Sequence, residues 1–397
     1  MDFSPTHSHA LVPLAYHVNI IDFLRGHEPD VWRWASARTT VAEQTASLKT
    51  MLLRDTYRID PGAHADVHAL LSTAMERLGI AAPATLYQST GQDMNAALVH
   101  VPGEVHIILQ GPVLERLAPD ELLAVFGHEL AHYLLWSRDD GAFLVADRIL
   151  NDAVGHAGAT PSHGETYRRY VLHTELFADR GSAVAAGGIA PAISALVKIQ
   201  TGMANVDAAA YLRQAGEIDT GADGASEHHS HPETFIRARA LSLWWSHEPE
   251  LEAWLVQRLN GPLSLERLDL PGQLAVQAIT RGLIARYLAG TELASEAVMS
   301  QVRLLFPDWR DDQTPLTAAQ MGPHVADASV LAYFNALMMD LALADPDQQD
   351  AALLRAGYLA QEFGSLEELQ VNLRRDAGFG KRELDRFKRQ LAKVTQA

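Results

Sequence analysis

The chain has 397 residues, 48% of them apolar and 20% charged, with a formal net charge of −17 at pH 7 and a pI near 5.4. That length and composition support more than one domain with its own core, and the acidic balance argues against a nucleic-acid partner, whose phosphates call for a basic face. With no cysteine in the chain, a thiol nucleophile, a cysteine-held metal and disulfides are all excluded.

Residues 1–37 read as a His- and Trp-bearing leader with a short helix over 14–24. It carries no Lys or Arg before Arg25 and so lacks the charged start of a secretory signal, and every apolar run falls short of the ~20 residues of a membrane span. The expected compartment is the cytoplasm, with no membrane span. Helical periodicity follows over 39–55 and 63–78, the second stretch stopped by Gly79. The period then changes. Residues 84–88, 96–101 and 105–109 are short, apolar or alternating, and parted by Gly, Asp and Pro, which predicts a small antiparallel sheet. The strand beginning near Asn95 is the candidate edge for pairing with an extended peptide.

Residues 119–137 predict a helix opened by Pro119, Asp120 and Glu121, where proline presets φ and acids oppose the positive end of the helix dipole. It holds His128-Glu129-Leu130-Ala131-His132. Two histidines four apart share a helix face and can point at one ion, with Glu129 close enough to reach a water there: the H-E-x-x-H arrangement of zinc hydrolases. Composition predicts roughly 0.04 chance matches to this pattern, so a third ligand has to decide. Helices are predicted over 142–154, 165–186 and 189–202, and a loop over 205–224. The helix over 165–186 places Glu175 and Asp179 on one face. A carboxylate there would complete a three-ligand site, with Asp179 orienting an imidazole, although the spacing alone equally fits a solvated face. His228, His229 and His231 follow in a stretch that composition reads equally as a polar loop. Ser230 with Glu233 fits a capping box for a helix to about 246 that contains Arg237. From 250 to 397 the pattern is helical almost throughout.

Four pieces together resemble metallopeptidase family 48, the group of HtpX-type proteases and CAAX prenyl endopeptidases: Met94-Asn95-Ala96, ELLAVFGHELAH from Glu121, TELFADRGSA from Thr174 and SHPETFIRARAL from Ser230. The resemblance implies a mostly α, α+β fold with a gluzincin-type zinc peptidase domain over 38–247, without the membrane helices of those members. It implies one zinc held by His128, His132 and Glu175, with Glu129 as general base and Asp179 supporting a ligand. His231 and Arg237 match further active-site positions; His231 either stabilises the transition state or stands as a candidate fourth ligand. The implied activity is hydrolysis of a protein or peptide substrate, endopeptidase-like. The rival is a latent zinc-stabilised scaffold or chaperone-like binding protein whose metal site His231 closes. Forty-two residues separate His132 from Glu175, and 139–164 is expected to cover the cleft. Residues 248–397 are expected to form an all-helical domain for substrate or partner docking.

Overall fold

The computed structural model describes residues 9–37, 42–221, 225–228, 230–310, 312–322 and 327–395. The chain divides into two compact units, Met1–Gly261 and Pro262–Ala397. The first opens with α1 (Ala15–His27), α2 (Pro29–Ala37) and α3 (Ala42–Asp55), then β1 (Tyr57–Arg58), α4 (Ala65–Arg77), β2 (Ala84–Ser89), β3 (Asn95–Val101), β4 (Glu104–Gln110) and the short α5 (Val113–Arg116). It continues with α6 (Pro119–Ser137), α7 (Ala142–Gly155), α8 (Pro161–Ala186), α9 (Ile189–Thr201), α10 (Ala208–Gly221), α11 (Thr234–Trp245) and α12 (Leu251–Leu255). The second unit has its own apolar core, built by α13 (Leu270–Leu288), α14 (Glu296–Leu305), α15 (Ala318–Met321), α16 (Ala328–Leu343), α17 (Gln349–Glu362), α18 (Leu366–Arg375) and α19 (Lys381–Thr395). No helix among the described residues is long and apolar enough to cross a membrane.

The strand order is β1-β2-β4-β3. The sheet is mixed rather than purely antiparallel: β3 and β4 form a hairpin, but β2 pairs parallel to β4. Since β4 takes the place beside β2 that a meander would give to β3, the latter is left at the edge, where one row of its backbone groups is unpaired by the sheet.

α6 is the centre of the first unit. Phe126, Leu130 and Leu135 are fully buried along it. Its first turn is fixed as the sequence predicts: the Ala118 amide donates to the Glu121 carboxylate at 2.8 Å, and Lys198 of α9 donates to the same oxygen at 2.8 Å. α6 crosses α8 at two glycines. A Cβ on Gly127 would stand 2.6 Å from the Gly181 carbonyl oxygen, and one on Gly181 would stand 2.4 Å from the Ala131 Cβ. Only glycine at both points lets the two backbones approach so closely.

Several sequence expectations are corrected. The leader's described helices belong to the first unit: His17 is fully buried against α8, with its Nε2 3.1 Å from Thr174 Oγ1, and Tyr16 stacks on His173 at 4.5 Å. The division between units falls at Gly261–Pro262, beyond the break expected at 248. Residues 208–221, expected as loop, form α10, because its alanines outweigh the scattered glycines. α11 starts at Thr234, and the predicted capping box is absent. The Glu233 carboxylate instead accepts from the Glu227 amide at 3.1 Å and so ties the preceding loop. Of 139–164, Asp147 lines the same cavity as His128, and much of the rest is built into the core. Phe143, Ala146, Ile149 and Leu150 of α7 are buried in the first unit, so removing that segment would open a core.

Candidate metal centre

α6 and α8 bring the predicted donors together. His128 Nε2 lies 3.3 Å from His132 Nε2 and 3.3 Å from Glu175 Oε2, while His132 Nε2 is 3.6 Å from Glu175 Oε1. Among the described residues these three form the group able to hold a metal ion, their donor atoms all within 4.8 Å of one another. For an ion with bonds of about 2.0–2.1 Å, a tetrahedron has edges of about 3.3–3.4 Å, so these separations fit. The donor chemistry fits as well: Glu175 Oε2 is buried with no hydrogen-bond partner. A buried carboxylate oxygen left so is costly unless a cation meets it.

The surroundings favour positive charge at the centre. Burial opposes the imidazolium of His128, but Asp179 and Glu175 outweigh it and push the group up to about 10. Burial also works against the Glu175 carboxylate, which His128, His132 and Arg237 nonetheless hold well below the usual range. His132, by contrast, is pushed down to about 4 by burial, only partly opposed by Glu175, and so presents a neutral ring. Burial raises the Glu129 carboxyl, with the Glu175 charge adding to the effect, against the pull of His128 and of the Leu98 amide on β3.

Asp179 supports the donors from behind. Its Oδ1 lies 3.2 Å from His128 Nδ1, which turns Nε2 toward the centre, and Arg237 grips the same carboxylate through Nε at 2.8 Å and Nη2 at 2.6 Å. Arg237 Nη2 is also 3.5 Å from Glu175 Oε2. Arg237 also lines the cavity. His231 stays half exposed, its Nε2 3.4 Å from Glu175 Oε2 and its Nδ1 3.0 Å from Ser230 Oγ. It approaches that one donor and stands outside the three-residue group. His228 lines the same cavity, whereas His229 lies outside the described residues.

That cavity, of about 760 Å³, runs past the donors. Asn95, Ala96 and Leu98 of β3 line it on one side, Trp136 and Asp147 from α6 and α7 on another, and Leu196 and Ile199 of α9 on a third. The ring of Trp136 stacks on that of His132 at 5.4 Å. The sequence reading missed Asp147, which carries no motif, and the two glycines at the helix crossing. The glycines had a signal: Gly127 with Ala131, and Gly181 with Ala185, repeat small residues four apart on both helices.

Two histidines and one glutamate on two crossing helices, beside an edge strand, make a candidate metal site. Residues 61–154, which include both histidines and Glu129 but not Glu175, match the family described as peptidase family M48, in agreement with the resemblance read from the motifs. It is similar, at 29% identity over 227 residues, to the plastoglobule-localized metallopeptidase 48, chloroplastic, of Arabidopsis thaliana, over 51% of this chain. The chain spans 63% of that relative's length. No solved structure matches.

Proposed function

We propose that the protein is a zinc-dependent endopeptidase in which His128, His132 and Glu175 hold the ion. The observation that carries this reading is the convergence of their donor atoms at tetrahedral edge lengths, with Glu175 Oε2 buried and without a hydrogen bond. Zinc, when bound, brings the pKa of a water to about 7 and polarises a carbonyl. Glu129, whose carboxyl burial raises above its ordinary value, takes the proton from the attacking water and returns it to the leaving amine nitrogen. The outward edge of β3 at Ala96 and Leu98 holds the peptide backbone by strand pairing, and the cavity walls keep bulk water away. His231 stabilises the developing oxyanion from the half-exposed side. The second unit serves for docking of substrate or partner.

Full-length protein and its E129Q and H132A variants, compared for zinc content and peptide-library cleavage, test the reading. E129Q should retain one zinc per chain and lose about 10²–10⁴-fold in turnover, and H132A should lose the metal. A chain that binds no zinc, or E129Q that still cuts at the wild-type rate, removes the assignment. The closeness of His231 to Glu175 favours a second reading, a latent site closed by this histidine. His231→Ala separates the two, since it lowers turnover if the ring stabilises the oxyanion and raises it if the ring occludes the site.

A further inference from the structure

Asp147 lines the same cavity as His128 and Glu129 but belongs to neither the donors nor their supports. It lies on α7 near Tyr167 of α8, and Trp136 of α6 and Val171 of α8 line the same cavity. Tyr167, Val171 and Glu175 are spaced four apart, so they form one stripe along the helix that leads from the metal centre along the cavity. Tyr167 stands about 12 Å along the axis from Glu175 at 1.5 Å per residue, within the span of a few residues of extended peptide at about 3.3 Å each.

Elsewhere, apart from Glu129 at the metal centre, which is buried without an ion pair among the described residues, the first unit pairs its buried and half-buried acids. Glu121 has Lys198, Asp179 has Arg237, Glu165 has Arg168 and Arg169, and Asp219 has Arg258. Asp147 makes no hydrogen bond or ion pair with any described residue, and its sequence neighbour Arg148 acts on it only through its field. Burial pushes its carboxyl up to about 6, which leaves it largely ionised at pH 7 without a counter-ion. A desolvated, unpaired carboxylate facing a cleft gains most from a cation that arrives with the ligand. The lining suits the rest of such a group: aliphatic stems pack on Val171, and the aromatic rings of Tyr167 and Trp136, the latter stacked on His132, line the same cavity.

We propose that Asp147 makes this cavity select peptides that place a cationic group, a Lys or Arg side chain or a free N-terminal amine, between Trp136, Tyr167 and Val171. This rests on the peptidase reading above, and it adds the class of substrate.

The test reads binding rather than turnover. Zinc-loaded full-length E129Q and the E129Q/D147N double variant are titrated calorimetrically with library-derived peptides in three forms: arginine-containing, the citrulline isostere, and N-terminally acetylated. E129Q should bind the cationic form at least about tenfold more tightly than the neutral isostere, as expected for a charged hydrogen-bonded pair. The double variant should lose that ratio and keep its affinity for the neutral peptide, which also shows that it is folded. A drop with citrulline assigns the group to the side chain, and a drop with acetylation assigns it to the amine. Equal binding of charged and neutral forms by E129Q, an unchanged ratio in the double variant, or no binding of any peptide overturns the proposal. Wild type that cuts charged and neutral peptides alike removes the selectivity and leaves the peptidase. Discrimination through Asp147 in a chain that cuts nothing does the reverse.

Discussion

Asp179 contributes no donor atom, yet it touches one of the residues that does. It meets His128 Nδ1 at 3.2 Å and is itself fixed by two nitrogens of Arg237, both Asp179 and Arg237 being buried. Replacing it with Asn keeps the shape and removes the charge, so His128 loses the partner that sets its ring orientation. Zinc affinity of D179N should fall about 10–100-fold, measured by competition with a chelator of known affinity. It should also unfold more readily, because Arg237 is left buried with only Glu175 to balance it; breaking such a pair costs about 3–5 kcal/mol. An affinity within twofold of wild type would remove Asp179 from the orienting role. From spacing alone Asp179 was legible only as one of a pair four apart on a helix, and its supporting role came from the resemblance. What distinguishes it from a solvated acid is Arg237, 58 positions away, and no periodicity reports that contact.

At the scale of elements, the site is a crossing of α6 and α8. Each helix was legible from its own apolar spacing, and the two histidines follow from a four-residue repeat within one helix. Their meeting with Glu175 was not legible from spacing, because 42 residues intervene and only packing fixes how far apart the helix axes lie. Gly127 and Gly181 set that distance. The Ala Cβ in Gly181→Ala would stand 2.4 Å from the Ala131 Cβ and 2.9 Å from the Gly127 carbonyl oxygen, neither of which is a flexible side-chain end. The helices must therefore part, at a cost of about 1–3 kcal/mol for overpacking, and Glu175 moves off the histidines. G181A should fold with a lower melting temperature and weakened zinc binding, though it alters no donor. Zinc affinity equal to wild type would show that the crossing has slack the packing does not display. The fold's other surprises share this origin. β2 pairs with β4 rather than β3, and α1 seats His17 on Thr174, through contacts remote in sequence.

For the whole molecule, the two units with separate cores imply two unfolding events, and all the proposed zinc donors lie in the first unit. The transition that shifts on adding zinc is therefore that of the first unit, since a ligand stabilises only what it binds in the folded state. The pH dependence of this transition in metal-free protein follows from the site. His128, raised from the ordinary 6.5 to about 10, holds a proton when folded that it releases on unfolding, so its contribution is full below about pH 6.5 and is lost as the pH climbs toward 10. His132 and His173, both pushed down to about 4, act oppositely: between about pH 4 and 6.5 the unfolded chain binds protons that the folded one refuses, so acidification destabilises. Metal-free protein should thus melt highest near pH 6.5 and lower on either side. Zinc should flatten the alkaline fall, because the ion takes the place of the His128 proton and that proton is released on binding. Calorimetric scans from pH 5 to 9, with and without zinc, check this. An alkaline limb that persists in the zinc-loaded protein would mean that the ion does not engage His128, and the three-donor assignment would fail with it.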